Sequence, residues 1–376
     1  MGQGAGSANQ GRGGTEYSVL STQYSVLSSC PEATPRFGRI CPHPLPLSRV
    51  RARGVVSGQV LSTRYSVLST PCFLAARWLL PLLLLVSGCD HDESSICRVE
   101  AVWGRPGISD GRFQTPRAIA VDGDDQLYIV DKTARIQVFK TDGTFLRSWS
   151  TPDHANGKPT GLSFDRDGNL MVADTHYFQV LVYSPEGNLL RTLGKKNGEK
   201  PGEFGFVTGT AQDAQGNLYV SEYGEYDRIQ KFSPDGRFLL QWGGHGSEPG
   251  QFVRPQKIVF DADNHLWVTD AGNHRIQVFD TQGKLLKSWG TQGSQPGELY
   301  YPYDIVLAPH DTLYVCEYGN HRVQKFTRDG RSLGCWGRRG RGDGELDSPW
   351  GLARDKQGKL YVLDTGNNRV QCVGVE

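Results

Sequence analysis

The chain has 376 residues, rich in Gly (47), Tyr (15) and Phe (15) but with only 2 Met. Glycines for tight turns and aromatic side chains for pleated surfaces are typical of an all-β protein. The formal net charge of +1 hides two different parts, since residues 1–88 hold eight Arg and two Glu, which leaves 33 basic and 38 acidic residues in 89–376. An acidic domain argues against a nucleic-acid partner, because phosphate binding relies on accumulated Lys and Arg.

Residues 1–70 repeat one hexamer at irregular spacing among Gly, Pro and Arg. Its copies are Tyr17–Thr22, Tyr24–Ser29 and Tyr65–Thr70. Such sequence is typical of low-complexity segments and not of a folded domain. We therefore predict that residues 1–70 are disordered or not translated.

Residues 71–88 have the features of a secretory signal. Arg77 precedes an apolar run over residues 78–86. That run is too short for a helix across a hydrocarbon core of ~30 Å. A basic residue, a short apolar stretch and small residues at its end predict export and cleavage.

The signal ends in Val86-Ser-Gly-Cys89, which resembles a bacterial lipobox. The resemblance implies cleavage before Cys89 and a diacylglycerol on its sulfur. An ordinary signal peptide followed by an incidental Cys is the alternative. We predict an extracytoplasmic protein that is lipid-anchored in the bacterial cell envelope, with residues 89–98 as a tether.

A repeated unit indicates the fold of the remaining chain. A Leu-led strand that ends in an acid begins at residues 127, 170, 218, 266, 313 and 360, at intervals of 43, 48, 48, 47 and 47. A Pro-led apolar strand precedes it in most units, and two more strands follow, the last often ending in Trp-Gly as at Trp289. Four short strands per unit, joined by tight turns, indicate the blade of a propeller.

The two ends of the repeat array predict how the ring closes. The sixth unit stops after its third strand, residues 369–375, while residues 99–103 have the pattern of a fourth strand. We predict a six-bladed β-propeller over residues 99–376, closed by its N-terminal strand. Closure removes the open sheet edges that would otherwise pair with other chains.

The segments Asp270–Phe279 and Asp364–Gln371 resemble the NHL repeat family. The resemblance extends to all six units and implies a β-propeller. NHL propellers include enzymes, sensor domains and protein- or RNA-binding platforms, so the resemblance does not choose a function.

An acid ends the second strand of every unit, and an Arg follows it in five of the six. The acids are Asp131, Asp174, Glu222, Asp270, Glu317 and Asp364, and the arginines are Arg135, Arg228, Arg275, Arg322 and Arg369. We predict acid–Arg pairs that brace the turns, with an anion-binding crown of Arg as the alternative. Unit two leaves Asp174 without its Arg, and departures from a repeat are sites that the scaffold does not require.

Positions that vary between units are the candidate binding residues. In propellers, the loops that enter the first strand and those that join strands two and three share the face around the channel mouth. The residues that follow the blade-leading Pro, or its equivalent Val207, are Arg117, Thr160, Thr208, Gln256, Tyr303 and Trp350. Lys257 and Asp304 lie one position later. Tyr223 and Tyr318 directly follow the second-strand acids. We predict that these ten residues bind a protein, peptide or glycan, and that the protein is a monomer.

An enzyme at the channel mouth is the alternative function. The peptidyl-α-hydroxyglycine α-amidating lyases are NHL propellers that hold zinc through three His, each directly after a blade-leading Pro. None of the corresponding residues here is His, and the turn residues His176, His274 and His321 are spread over several units. The sequence therefore predicts no metal, no cofactor and no catalytic residue.

Overall fold

The computed structural model describes residues 97–155 and 158–375. The predicted low-complexity segment, the signal, Cys89 and most of the tether lie outside the described residues. Among the residues described, no helix combines the length and the apolar character that a bilayer span requires. Six four-stranded antiparallel sheets form a ring, which confirms the predicted six-bladed β-propeller.

Each blade is a meander of four strands, numbered outward from the channel in blades one to five. Blade one contains β2 (Pro116–Val121), β3 (Leu127–Asp131), β4 (Arg135–Phe139) and β5 (Phe145–Ser150); blade two contains β6 (Gly161–Phe164), β7 (Leu170–Asp174), β8 (Gln179–Tyr183) and β9 (Leu189–Gly194). Blade three contains β10 (Phe206–Gln212), β11 (Leu218–Tyr223), β12 (Arg228–Phe232) and β13 (Phe238–Gly243); blade four contains β14 (Pro255–Phe260), β15 (Leu266–Asp270), β16 (Arg275–Phe279) and β17 (Leu285–Trp289). Blade five contains β18 (Pro302–Ala308), β19 (Thr312–Glu317), β20 (Arg322–Thr327) and β21 (Ser332–Trp336).

Blade six takes strands from both ends of the propeller. It contains β24 (Gly351–Arg354), β25 (Leu360–Asp364), β26 (Arg369–Val375) and, as its outer strand, β1 (Cys97–Trp103). The linker into this blade holds the short parallel pair β22 (Arg338–Arg339) and β23 (Glu345–Leu346), and 3-10 turns occupy Thr175–Tyr177 and Ala271–Asn273.

Ring closure occurs through the pairing of β1 with β26. The strands are antiparallel, and their register runs from Cys97 opposite Val375 to Trp103 opposite Val370. The prediction that the N-terminal strand completes the last blade is confirmed, and the strand begins two residues earlier than predicted. Cys97 lies three residues out of register with Cys372, and neither of these two cysteines is in a disulfide.

The burial of the strands follows their position in the blade. The second strands are buried apart from one end residue each in blades three and five, because both faces contact neighbouring blades. The outer strands of blades one and three alternate between half-buried and exposed side chains, as in Phe238–Gly243. Period-two alternation is the pattern expected where only one face is covered.

Adjacent blades are joined by tryptophans of the outer strands. Trp242 packs over Gly283 in the next blade, where a Cβ atom would lie 2.7 Å from the indole and where φ is +79°. Trp103 of the closing strand makes the same contact with Gly143 and packs on Phe139 with ring centroids 4.9 Å apart. Glycine is needed at these turns both for its backbone conformation and for the close approach of the ring.

The repeated acid and Arg form the predicted braces. The shortest nitrogen–oxygen distances are 3.3 Å for Arg135–Asp131, 2.7 Å for Arg228–Glu222, 2.8 Å for Arg275–Asp270, 2.7 Å for Arg322–Glu317 and 2.7 Å for Arg369–Asp364. The Arg275 guanidinium also donates to the backbone oxygens of Ser247 and Gln251, on the loop that enters the blade. Each pair therefore ties an entering loop to the second strand.

Blade two lacks this brace. Gln179 stands at the position of the Arg and donates one hydrogen bond of 2.8 Å to Asp174 Oδ2, while Asp174 Oδ1 is buried without a partner in the described residues. Burial therefore raises the pKa of Asp174 to about 6. An ionised carboxylate at this place costs folding free energy that the other five blades recover through Arg.

Replacing Trp103 by Ala is expected to weaken ring closure. The variant should lose about 3 kcal/mol of unfolding free energy, because a large aromatic side chain leaves a cavity between blades six and one. Urea denaturation, followed by the circular dichroism of the backbone, measures the loss of unfolding free energy. Trp103→Phe is the control and should lose less than half as much; an Ala variant with an unchanged midpoint would contradict the role of this contact.

Replacing Asp174 by Asn is expected to stabilise the protein at neutral pH. Because the folded-state pKa is raised, ionisation of Asp174 lowers stability as the pH rises from about 4 through 6, by up to about 3 kcal/mol. Asn cannot ionise, so the gain should be present at pH 7.5 and absent at pH 4. The matched variant Asp270→Asn should destabilise the protein instead, since it leaves Arg275 without its carboxylate; equal effects at both sites would argue against the assignment.

Candidate functional site

The predicted binding residues converge on the centre of the ring. Eight of them line one cavity of about 10 Å³, together with Ala118, Gly161 and Leu162, which adjoin them in the chain. The eight residues come from the inner strands and entering loops of all six blades. They are Arg117, Thr160, Thr208, Gln256, Lys257, Tyr303, Asp304 and Trp350. This is room for about one water molecule, so the channel is narrow where the entering loops meet.

Several of these residues are buried and serve the ring itself. Thr208, Gln256 and Tyr303 are 3%, 5% and 6% exposed. The Thr208 hydroxyl donates to the backbone oxygen of Pro255 in the next blade at 2.8 Å, and the Thr160 hydroxyl lies 2.7 Å from that of Thr175. The hydroxyls of Thr208 and Thr160 are therefore already used within the protein.

Lys257 and Asp304 close the channel below the mouth. Lys257 Nζ lies 3.9 Å from Asp304 Oδ1 and donates across the channel to the backbone oxygen of Leu162 at 3.1 Å. The other carboxylate oxygen of Asp304 accepts from the backbone N–H of Leu352 at 3.0 Å. Burial raises the pKa of Asp304, and the positive charge of Lys257 opposes that rise. The floor is thus an ion pair whose two members also form hydrogen bonds with the backbone of blades two and six.

Above the floor lies a group of packed aromatic side chains. Tyr303 stacks on Tyr318 with ring centroids 4.7 Å apart and an interplanar angle of 20°, and Trp350 meets the two rings at 4.8 and 5.6 Å. Tyr318 and Trp350 are half-buried. Tyr223, Tyr303, Tyr318 and Trp350 together are named the aromatic rim.

Two arginines lie over the aromatic rim. The Arg117 guanidinium carbon is 4.9 Å from the centroid of Trp350, and that of Arg254 is 5.1 Å from Tyr223 and 5.9 Å from Tyr303. Burial lowers the pKa of Arg117, and the nearby charge of Arg254 lowers it further. The rim is therefore a place where positive charge lies close to π-systems.

Phe206 of blade three and His176 of blade two extend the aromatic surface. Phe206 lies 5.2 Å from Tyr223 and 5.5 Å from His176, measured between ring centroids. The pKa of His176 is lowered by burial and by the charges of Lys158 and Arg117. His176 is therefore neutral at physiological pH and belongs to the apolar part of the surface.

Sequence reasoning missed Arg254, which precedes the blade-leading Pro255. The residue adopts φ +57°, a left-handed conformation that directs the chain into the first strand of blade four. The corresponding residues Thr115, Tyr301 and Ser348 share this conformation. The sequence signal is the position before each blade-leading Pro, where basic residues stand in blades two and four, at Lys158 and Arg254.

The histidines have separate structural roles. The ring nitrogen Nδ1 of His274 accepts from the backbone N–H of Tyr301 at 3.1 Å, and that of His321 accepts from Ser348 at 2.9 Å. Neither is placed beside His176, so no three-histidine zinc site is formed at the mouth by the described residues, and the residues there do not fit the zinc of an amidating lyase.

One other group of possible metal ligands exists among the described residues. Asp261, Asp263 and His265 lie on the turn between the first two strands of blade four. Asp261 accepts from the backbone N–H of His265 at 2.8 Å and from the indole N–H of Trp267 at 2.9 Å. These bonds account for the acid as a turn residue.

Comparisons of the sequence identify the repeat. The NHL repeat family model matches residues 252–279, 299–326 and 346–373. NHL repeat-containing protein 3 of mouse is 31% identical over 201 residues, which are 49% of this chain and 56% of that protein. Peptidyl-glycine alpha-amidating monooxygenase of mouse is 39% identical over 128 residues, which are 31% of this chain and 13% of that protein. The chain thus spans about half of one relative and a small part of the other.

Comparison of the structure agrees with the repeat. A solved streptogramin B lyase superposes with a TM-score of 0.53 at 14% identity, over 73% of this chain and 98% of the lyase. At this level of identity the likeness shows the fold alone. The chain carries NHL repeats and folds as a six-bladed β-propeller.

Proposed function

We propose that the propeller is a binding module whose channel-mouth face recognises a protein, peptide or glycan. The observation that carries the proposal is the aromatic rim, where the half-buried Tyr318 and Trp350 pack on the buried Tyr303. Tyr and Trp supply rigid contact area at low entropic cost, and they are enriched in binding hot spots. The blade repeat does not need them, because other blades hold different residues at the same positions.

The closed floor favours recognition at the surface over capture inside the channel. The cavity beneath the rim measures about 10 Å³, and the Lys257–Asp304 pair lies across it. A small ligand buried in a pocket usually occupies ~300 Å³ or more. A ligand of this protein therefore lies on the rim and places only one end toward the axis.

An enzyme at the mouth is the second candidate, supported by the similarity to amidating monooxygenases. The residues after the blade-leading prolines do not supply the His ligands of that chemistry. Measurement of zinc in the purified protein discriminates the two, since a stoichiometric ion that survives dialysis would favour the enzyme over the binding module.

We also propose that the protein is exported and anchored by a lipid on Cys89, and that it acts as a monomer without nucleic acid. The support is the short apolar run that ends in Cys89 and the acidic balance of residues 89–376. A module held at a membrane surface meets ligands of the cell envelope. Export places the recognition face outside the cytoplasm, and the anchor keeps it at the membrane.

Replacing Cys89 by Ala is expected to abolish lipidation. Labelled palmitate fed to a bacterial host should enter the wild-type protein and not the Cys89→Ala variant, which should move from the membrane to the soluble fraction, because the anchor carries the membrane affinity. Cys72→Ala is the matched control and should keep the label, since residue 72 lies in the part removed. Undiminished labelling of Cys89→Ala would contradict the anchor.

Replacing Trp350 by Ala is expected to weaken binding of the partner by about 10- to 100-fold, as loss of a central aromatic side chain does at other interfaces. Peptide and glycan arrays probed with the full chain supply the ligand, and calorimetry supplies the affinity. Trp350→Phe keeps an aromatic ring and should retain most of the affinity. A hit bound equally by wild type and the Ala variant would show that recognition lies elsewhere.

A further inference from the structure

Two kinds of arginine occur in the propeller. Those of the repeat are neutralised, as Arg275 is by Asp270 at 2.8 Å. Arg117 and Arg254 differ, because neither forms an ion pair with a carboxylate of the described residues. The Nε atom of each is buried without a hydrogen-bond partner, as are those of Arg135, Arg328 and Arg354. The charge that acts on Arg117 at neutral pH is that of Arg254, and no carboxylate of the described residues is among the groups that shift the pKa of Arg117.

This arrangement is costly for the protein by itself. A partly buried charge without a counter-ion loses hydration, and a second like charge adds repulsion. Asp304, which lines the same cavity as Arg117, is already paired with Lys257 and with two backbone N–H groups. Asp227 accepts from the backbone N–H of Arg254 at 3.0 Å and pairs with His245. Neither acid forms an ion pair with the two arginines, and groups of this kind concentrate at functional sites.

The rings leave part of each guanidinium free. Trp350 covers a face of Arg117, and Tyr223 covers a face of Arg254, at 4.9 and 5.1 Å. The N–H donors of a guanidinium point outward within its plane, so a ring on the face does not block them. Those edges are suited to the two oxygens of a carboxylate, which arginine binds through paired hydrogen bonds.

The surroundings suit a single anionic group attached to a flat or apolar body. Phe206 and the neutral His176 continue the apolar surface beside Tyr223. The closed floor prevents deeper entry, so the anionic end stops at the level of the arginines. A polyanion is disfavoured by the acidic balance of residues 89–376.

We infer that Arg117 and Arg254 form a clamp for the carboxylate of a ligand whose body lies on the aromatic rim. The ligand class is a carboxylic acid, and the apolar surroundings favour the free C-terminus of a peptide over the uronic acid of a glycan, which is the other outcome of the test. This inference rests on the proposed binding function and adds the chemical group that is recognised. It assigns the clamp to residues of blade one and of the loop into blade four.

Matched acids and neutral analogues test the clamp on the full chain. The probes are N-acetyl-phenylalanine against its amide, and glucuronate against glucose, with affinities measured by titration calorimetry or ligand-observed NMR. One of the acids should bind at least about tenfold more tightly than its neutral analogue, because a charge-assisted hydrogen bond is lost in the neutral form. Which acid binds identifies the source of the carboxylate.

Variants of the arginines complete the test. Arg117→Gln and Arg254→Gln should each weaken the acid about tenfold and leave the neutral analogue unchanged. Arg341→Gln, on an exposed loop, is the control and should change nothing. Thermal melting of each variant shows that it is folded, and both Gln variants should melt no lower than wild type, since each removes an uncompensated charge.

Three results would overturn the clamp. They are equal binding of acid and neutral analogue, acid binding that does not depend on either arginine, and tighter binding of inorganic phosphate than of both acids. If array ligands still depend on Trp350 in those cases, the proposed binding function stands without the clamp. If nothing on the arrays or among the probes binds, both proposals fail.

Discussion

The pairing of β1 with β26 is the constraint on which the rest of the molecule depends. Blade six has only three strands from its own repeat, so without residues 97–103 the ring would end in an open edge. Closure holds the inner strands of all six blades at one distance from the axis. The channel floor and the aromatic rim exist only because side chains from opposite sides of the ring then meet.

Within this ring, repeated and varied residues have different tasks. Repeated residues satisfy each other locally, as the acid–Arg braces and the Trp–Gly contacts do in successive blades. Varied residues at the starts of the inner strands meet across the axis and have no blade-level requirement. The exception in blade two, where Asp174 lacks an Arg, shows what a blade loses when a repeated pair is absent: its carboxylate is buried with one oxygen unpartnered.

Most of the fold follows from the sequence, and part of the site does. The period of about 47 residues, the incomplete sixth unit and the recurring acid–Arg spacing are local patterns, and the structure has the blades, the closing strand and the braces that they predict. The burial of Thr208 and Gln256 depends on how close the entering loops approach, which no single repeat contains. The contact of Arg254 with Tyr223 likewise joins two blades, so no single repeat contains it.

The register of β1 against β26 allows the most direct test of ring closure. Ala101 lies directly opposite Cys372, and residues paired in this way have Cβ atoms within reach of a disulfide after small adjustment. In the Ala101→Cys variant, mild oxidation should link residues 101 and 372 of the same chain, as peptide mass spectrometry would show, and should raise the unfolding temperature. A variant in which residue 101 remains unlinked, or links only to another molecule, while the amides of β26 exchange freely with solvent, would contradict a ring closed by its own N-terminal strand.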